Sequence, residues 1–472
     1  MKILFVNPPF AKYGGVEGHG GMVAPLNLGY LASYLRQKKP NFEIDILDCE
    51  ALRLSYEQIK EYLAKFKPDI VAITMPTPAY AHVVRIADLV KNLSDKIWVI
   101  VGGPHPTALP KETLAEKNIN FAVIGEGEIT FLELIETLER DKNNFTGIKG
   151  LAYKDAKGNI FENERRELIK DLDSLPFPAK DLLPLHAYYL PPTKRITGGA
   201  STNMVTSGGC PFGCSFCLAK TIWGRQTRFR SIKNVVDEIE EDVKKYNIVD
   251  FTFHDEFFTV NRPRVLEFCE EIKKRKLNIK WLCQARCGSV DEQMLKAMKE
   301  AGCERIGFGF ESGDENVLKL MQKNNILSNA RESAKLCKKA DIKVVGAFIL
   351  GYPGETRESA KRTIKFAKEI DPDTAAFFIA IPYPGTELFR LALEKRYIKS
   401  PIDWKTFAPL SNEKPPMDIP NMTKEELLTL KRKAYRSFYL RPRYIWKKLM
   451  QVKNIGDAKS LLWGFNLFRR IS

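Results

Sequence analysis

Ser207-Gly208-Gly209-Cys210-Pro211-Phe212-Gly213-Cys214-Ser215-Phe216-Cys217 carries three of the chain's nine cysteines in the spacing C-x3-C-x2-C. Three thiolates this close, on a loop softened by glycines, can converge on one metal centre. A four-iron cubane held by three cysteines keeps one iron open to a small molecule. A structural zinc site asks for a fourth Cys or His at short spacing, whereas the nearest histidines are His186 and His254. Residues 203–206, just before the loop, read as a strand, so the cysteines follow a strand's C-terminal end.

Downstream of the loop a βα rhythm repeats. Helices are expected over 232–246, 262–274, 291–301, 329–340 and 359–369, alternating with strands over 250–253, 279–285, 305–310, 343–350 and 374–381. Together with the strand before the loop these predict a partial (β/α)6 barrel of the TIM type, with reactive groups at the strands' C-terminal ends. Those ends carry His254-Asp255-Glu256, Arg286, Glu311-Ser312-Gly313 and Gly351-Tyr352-Pro353-Gly354-Glu355. Arg225, Arg228 and Arg230, after the cluster loop, read either as a hold for an acidic group or as a solvated face.

C-x3-C-x-aromatic-C, with Phe216 in the aromatic place, resembles the signature of the radical S-adenosylmethionine (SAM) superfamily. The resemblance implies a 4Fe-4S cluster on Cys210, Cys214 and Cys217 whose open iron chelates SAM, and reductive cleavage to a 5′-deoxyadenosyl radical. It implies SAM contacts from Phe216, Asp255, Glu256, Arg286, Glu311, Ser312 and Gly351. Asp255-Glu256 would face the amino group, Glu311 and Ser312 the ribose and carboxylate, and the strand from Gly346 to Gly351 the adenine. An external electron donor such as flavodoxin or ferredoxin is implied as well.

Ahead of the loop, strands over 3–7, 43–48, 70–74, 97–101 and 121–124 alternate with helices over 28–37, 56–66, 82–92 and 129–140. This order predicts a doubly wound, Rossmann-like parallel sheet with ligand-binding loops at its strand ends. No G-x-G-x-x-G occurs: the third glycine is missing after Gly18-His19-Gly20, Gly125-Glu126-Gly127 and Gly307-Phe308-Gly309. Asn7-Pro8-Pro9, Pro25-Leu-Asn-Leu-Gly29, Gly102-Gly103-Pro104-His105-Pro106-Thr107 and Gly125-Glu126-Gly127-Glu128 resemble the cobalamin-binding domain found ahead of the cluster motif in many radical SAM enzymes. That resemblance implies cobalamin contacts from Asn7, Pro8, Thr74, Thr77, Gly102, Gly103, His105, Gly125 and Glu126. D-x-H-x-x-G, whose His ligates cobalt in other cobalamin proteins, is absent. The His105 loop is expected to pack along the nucleotide tail, with cobalt ligation by His105 as the alternative.

The expected division is 1–145 for the cobalamin domain, 146–198 for a connector with a hairpin and a Pro-rich crossing, 199–400 for the barrel and 401–472 for a basic helical region. Hydrophobic residues make up 44% and charged residues 28% of the 472, the composition of an ordinary globular protein. The remaining six cysteines are scattered, which fits a reducing cytosol better than a disulfide scaffold. Cys283 and Cys287, at i and i+4 with no further ligand, do not make a metal site.

Of the net charge of +16, +11 sits in residues 431–472, where twelve Lys or Arg face Asp457 alone. The body is mildly basic, so no nucleic-acid partner is expected. Thr423-Lys-Glu-Glu426 is a capping box that opens a helix. Beyond Arg441-Pro442, Tyr444, Ile445, Trp446, Leu449, Met450, Leu461, Leu462, Trp463, Phe465, Leu467 and Phe468 interleave with Lys and Arg. This pattern fits peripheral contact with the inner face of a membrane or a helical cap on the barrel. Phe438-Tyr-Leu-Arg-Pro-Arg443 resembles the group that includes the anaerobic Mg-protoporphyrin monomethyl ester cyclase, which implies a small-molecule or lipid-like substrate.

The reading that follows is a cobalamin-dependent radical SAM enzyme that methylates an unactivated carbon. The leading rival is an oxidative cyclisation or rearrangement without methyl transfer. A transfer-RNA methylthiotransferase would carry further cluster cysteines in its N-terminal domain, where this chain has only Cys49. A non-catalytic cobalamin-binding protein does not require three intact cluster cysteines.

Overall fold

The computed structural model describes residues 1–10, 22–140, 144–155, 157–190, 196–324, 326–408 and 415–450. Strand β1 (Lys2–Asn7) lies between β2 (Glu43–Asp48) and β3 (Ile70–Thr74). β4 (Trp98–Gly102) and β5 (Phe121–Val123) extend the parallel sheet in the order β2-β1-β3-β4-β5. Ile3, Leu4, Phe5 and Val6 are fully buried, and alternate residues join two different apolar layers, one on each face. A parallel sheet covered on both faces needs such unbroken apolar runs. The hairpin β6 (Leu151–Lys154) and β7 (Ile160–Glu162) pairs antiparallel onto β5 and completes seven strands. It therefore belongs physically to the first sheet, because Leu151, Ala152 and Tyr153 are buried there.

The chain then crosses to β8 (Ala200–Met204) and a short antiparallel ribbon of β9 (Ser207–Gly208) and β10 (Arg228–Phe229). β11 (Ile248–Phe253), β12 (Lys280–Ala285), β13 (Cys303–Glu311), β14 (Lys343–Leu350) and β15 (Thr374–Ile379) follow. With β8 they form six parallel strands in the order β15-β14-β13-β12-β11-β8, an open half-barrel. Burial alternates residue by residue along β14 and β15, as a pleated strand requires. One face packs on the helices through a ladder of Phe308, Phe310, Phe348 and Phe377, with successive ring centroids 5.8, 5.5 and 5.3 Å apart. The other presents Val345, Ala347, Ile349, Ala376 and Phe378, all half-buried, to the concave side.

That alternation corrects the expected role of Gly346. It shares its face with Phe348, and a Cβ on it would stand 3.0 Å from the Phe310 ring. Its missing side chain makes room for the aromatic ladder and does not bring a ligand close.

Helix Lys424–Tyr439 opens with the expected capping box on Thr423. It covers the outer edge of β15. The Ala375 amide donates to the Tyr439 hydroxyl (3.0 Å), which donates to the Ala375 carbonyl (2.7 Å), and the Phe377 amide donates to Tyr435 (3.2 Å). Tyrosine hydroxyls thus occupy a strand edge that would otherwise recruit another strand. Helix Pro442–Met450 is tied on by Arg441 to Asp371 and Lys447 to Asp373, both at 2.8 Å. Its other side leaves Ile445, Trp446, Leu449 and Met450 exposed. The described part covers the barrel, as the helical-cap reading expects; residues 461–468 lie outside the described residues. Among those described, no helix is long and apolar enough to cross a membrane.

Candidate active site

The cysteine loop is built by restraints on either side of it. Gly209 has φ +96°, and a Cβ there would lie 2.0 Å from the Gln226 carbonyl oxygen, so only glycine fits. Asp255, at the end of β11, accepts from the Thr206 amide (2.7 Å) and from the Thr206 and Ser207 hydroxyls (2.5 and 2.6 Å). Ser215 donates its amide to the Met321 carbonyl (3.0 Å), accepts from Leu388 (2.9 Å) and shares a 2.6 Å hydroxyl bond with Tyr352. Phe216 packs against the apolar layer that includes Met321 and Tyr352. The loops after β13 and β14 therefore hold the segment between the second and third cysteines.

Cys210, Cys214 and Cys217 are all free and half-buried. Burial pushes the Cys210 and Cys217 thiols up, so a metal would displace their protons on binding. Arg286, after β12, stacks its guanidinium 3.6 Å over the Phe212 ring and brings Nη1 to 4.0 Å from the Cys214 sulfur. Its Nη2 is buried with no hydrogen-bond partner. The Lys323 ammonium pairs with Glu311 at 2.8 Å, and its charge acts on Cys214 and Cys217. Among the described residues no three His, Cys, Asp or Glu side chains meet at one point as a lone metal ion requires. A cubane instead takes each thiolate at a separate corner. An anionic iron–sulfur thiolate centre beside two cations and an orphaned guanidinium N–H is a chemical fit.

Each predicted SAM contact has a definite place. Asp255 is buried, and its oxygens hold Thr206 and Ser207. Glu256 is exposed and accepts the Gly209 amide at 3.1 Å. Of the acidic pair, Glu256 is the carboxylate that faces outward. Glu311 has φ +61°, at a register shift in the β13–β14 pairing. A non-glycine residue in this left-handed conformation is strained. Ser312 is buried and bonded to Thr363 (3.0 Å) and the Asp314 amide (3.1 Å). Gly351, at φ +79°, donates its amide to Glu355.

At the strand ends of the first sheet, Asn7 donates to Asp48 (2.8 Å) and Thr74 accepts from Asn27 (3.0 Å). Gly102 and Gly103 line the end of β4, and Pro8 is buried. The Gly125 amide donates to Thr107 (3.0 Å), and a Cβ on Gly125 would meet nothing within 4 Å. Gly125 therefore borders open space, while Gly103 packs against Met75 and Thr74.

His105 is fully buried, with Nδ1 3.2 Å from Thr77 and its ring 4.9 Å from both Tyr80 and Trp404. Burial lowers its pKa to about 4, so it is neutral. Its Nε2 is buried with no hydrogen-bond partner among the described residues. Glu126 pairs with Arg228 at 2.7 Å.

A profile of the radical SAM superfamily matches residues 204–367, and one of the B12 binding domain matches residues 17–135. An uncharacterized methyltransferase of Pyrococcus horikoshii is 36% identical over 453 residues, covering 96% of this chain and 95% of its own. The chain belongs to the B12-binding radical SAM enzymes. Within them, the anaerobic magnesium-protoporphyrin IX monomethyl ester cyclase of Rubrivivax gelatinosus is 31% identical across 94% of this chain and 78% of its own length. Among solved structures, the cobalamin-dependent SAM radical enzyme OxsB, with aqua-cobalamin and SAM bound, superposes with a TM-score of 0.77. It covers 99% of this chain and 71% of that one at 19% identity. The radical SAM methyltransferase TsrM from Kitasatospora setae, with cobalamin and a [4Fe-4S] cluster bound, gives 0.68 over 84% and 75% at 20% identity. Both share the fold.

In this B12-binding radical SAM enzyme the sequence reading did not find Lys323, Phe212 or Tyr352. Lys323 lies beyond the helix Glu315–Leu320 that follows Glu311, with no motif around it. Only the chain's return brings it to the cysteines. Of the three arginines after the loop, Arg228 and Arg230 do hold acidic groups, Glu126 and Glu238, but these belong to the protein itself.

Proposed function

We propose that this enzyme transfers a methyl group to an unactivated carbon of an apolar small-molecule or lipid-like substrate. End-to-end similarity with the Pyrococcus horikoshii methyltransferase, spanning both domains, carries the reading. Bound cluster and SAM supply a hydrogen-abstracting radical, and bound cobalamin supplies a transferable methyl group. Residues 1–145 hold cobalamin at the Asn7, Thr74, Gly102, Gly103 and Gly125 edge; residues 199–400 hold the cluster and SAM. Cys210, Cys214 and Cys217 give up their protons to hold three irons. Arg286, through its unpartnered Nη2, would hold the SAM carboxylate, and Glu256 would hold its ammonium, each by a charge-assisted bond. Val345, Ala347, Ile349, Ala376 and Phe378 give the substrate an apolar wall and keep water from the reacting carbon. An external one-electron donor of the flavodoxin or ferredoxin kind reduces the cluster.

The second reading, an oxidative cyclisation without methyl transfer, is favoured by similarity to the Rubrivivax gelatinosus cyclase. Incubation of the reconstituted enzyme with methyl-labelled SAM and a lipid extract, followed by mass spectrometry, separates the two. Methyl transfer predicts a labelled product alongside deoxyadenosine; deoxyadenosine with no labelled product overturns it.

The exposed face of helix Pro442–Met450 is assigned to an anionic membrane surface. Trp446 is 67% and Met450 66% exposed, beside the exposed Arg443 and ahead of a basic terminal stretch. The intact protein should sediment with phosphatidylglycerol vesicles and not with phosphatidylcholine vesicles, and W446S should weaken this at least about threefold. Equal sedimentation with both lipids, or self-association through this face, would refute the assignment.

A further inference from the structure

We infer that Glu126 and Arg228 form a positioning clasp that sets the separation between the cobalamin edge and the cluster loop. The inference rests on the two-cofactor reading above.

The pair joins the loop after β5 to the β9–β10 ribbon. Arg228 donates to both Glu126 oxygens, at 2.7 and 3.1 Å, and the side chains are only 9% and 11% exposed. A fork-to-carboxylate bond of this kind fixes direction as well as distance. The crossing segment is stitched into the same point. The Ile169 amide donates to Glu126 (2.7 Å), and its carbonyl accepts from Arg228 (2.5 Å).

Each partner is rigidly linked to a cofactor loop. Arg228 lies on β10 opposite Gly208, two residues before Cys210, and Gly209 between them admits no other residue. Glu126 directly follows Gly125, whose amide is held by Thr107. Arg165 crosses the same seam from Thr107 to Thr221, behind the cluster loop, at 3.1 and 3.4 Å. Glu126–Arg228 is thus the forked ion pair on the path from the sheet edge to the cysteine loop, with Arg165 beside it.

A nearly buried ion pair is a weak source of net stability, but losing one partner strands the other charge. A misplacement of about 1 Å between reacting groups costs on the order of 100-fold in rate. Holding two cofactors in register is a use for the pair that stability alone does not provide.

The test reads position directly. Holoenzyme carrying both centres is reduced so that the cluster and cob(II)alamin are paramagnetic, and pulsed EPR measures their dipolar coupling. The clasp predicts one narrow distance distribution in the native protein. E126Q and R228Q should shift its mean by about 1 Å or double its width, and R228K, which keeps the charge without the fork, should move it less than R228Q. E126R/R228E should not return it, because the Ile169 amide would then face a guanidinium donor and its carbonyl a carboxylate acceptor. An unchanged distribution in E126Q and R228Q overturns the clasp alone, as does a reversed pair with the native distribution. A native protein that loads the cluster but no cobalamin overturns the two-cofactor reading, and the clasp with it.

Discussion

Glu355 is fully buried behind the loop after β14, with Oε2 accepting the Gly351 amide and Oε1 unpartnered. Burial pushes its carboxyl up to about 7 from 4.5. Between those values the folded protein keeps a proton that the unfolded chain releases. The stabilising contribution is therefore complete below the unfolded value and is lost as pH rises through 7. The loss is about 3 kcal/mol. E355Q keeps an acceptor for Gly351 and carries no charge, so its stability should fall less across this range. Urea midpoints from pH 5 to 8 check this, and parallel slopes for the two proteins would refute it. At the same scale, C210A, C214A and C217A should each abolish cluster absorbance and deoxyadenosine formation after anaerobic reconstitution.

Among elements, helix Lys424–Tyr439 is decisive because it closes the β15 edge with hydroxyls. Tyr439 serves both the amide and the carbonyl of Ala375. Removing the hydroxyl leaves two backbone groups unpaired against an apolar ring, at a cost of about 1–3 kcal/mol. Y439F should lower the unfolding midpoint accordingly and increase concentration-dependent aggregation, since a bare strand edge invites pairing. An unchanged midpoint would show that water reaches the edge.

At the scale of the whole molecule, the crossing segment carries a buried ionic network. Lys180 pairs with Glu238 at 2.8 Å and with Asp242 at 2.5 Å, while Arg230 pairs with Glu238 at 2.6 Å and lies 3.3 Å from the Tyr30 hydroxyl of the first sheet's layer. Burial alone would raise the Glu238 carboxyl, but Lys180 and Arg230 outweigh it and hold it down. Asp242, where burial outweighs Lys180, stands at about 6. K180M strands Asp242 and leaves Glu238 to Arg230 alone, and should cost about 3–5 kcal/mol. Because the network spans connector, barrel and first layer, calorimetry should resolve two unfolding transitions where the native protein shows one. A single unshifted transition would refute this.

The alternation of apolar runs with amphipathic helices determined both sheets. Strands β2, β3 and β14 and the helices Tyr56–Phe66, Ile232–Tyr246 and Arg262–Lys274 lie where periodicity placed them, since local burial pattern alone sets such elements. Spacing also determined the three cysteines, because loop ligands are encoded within a few residues. Tertiary structure decided everything that depends on partners distant in sequence. Glu126 and Arg228 are 102 residues apart. Asp255 looks like a ligand carboxylate until Thr206 and Ser207 are seen to occupy it. Gly346 looks like a ligand contact until Phe310 is seen to fill its space. A residue's type shows which bonds it can make. Which bond it does make depends on the neighbours that folding brings within about 3 Å.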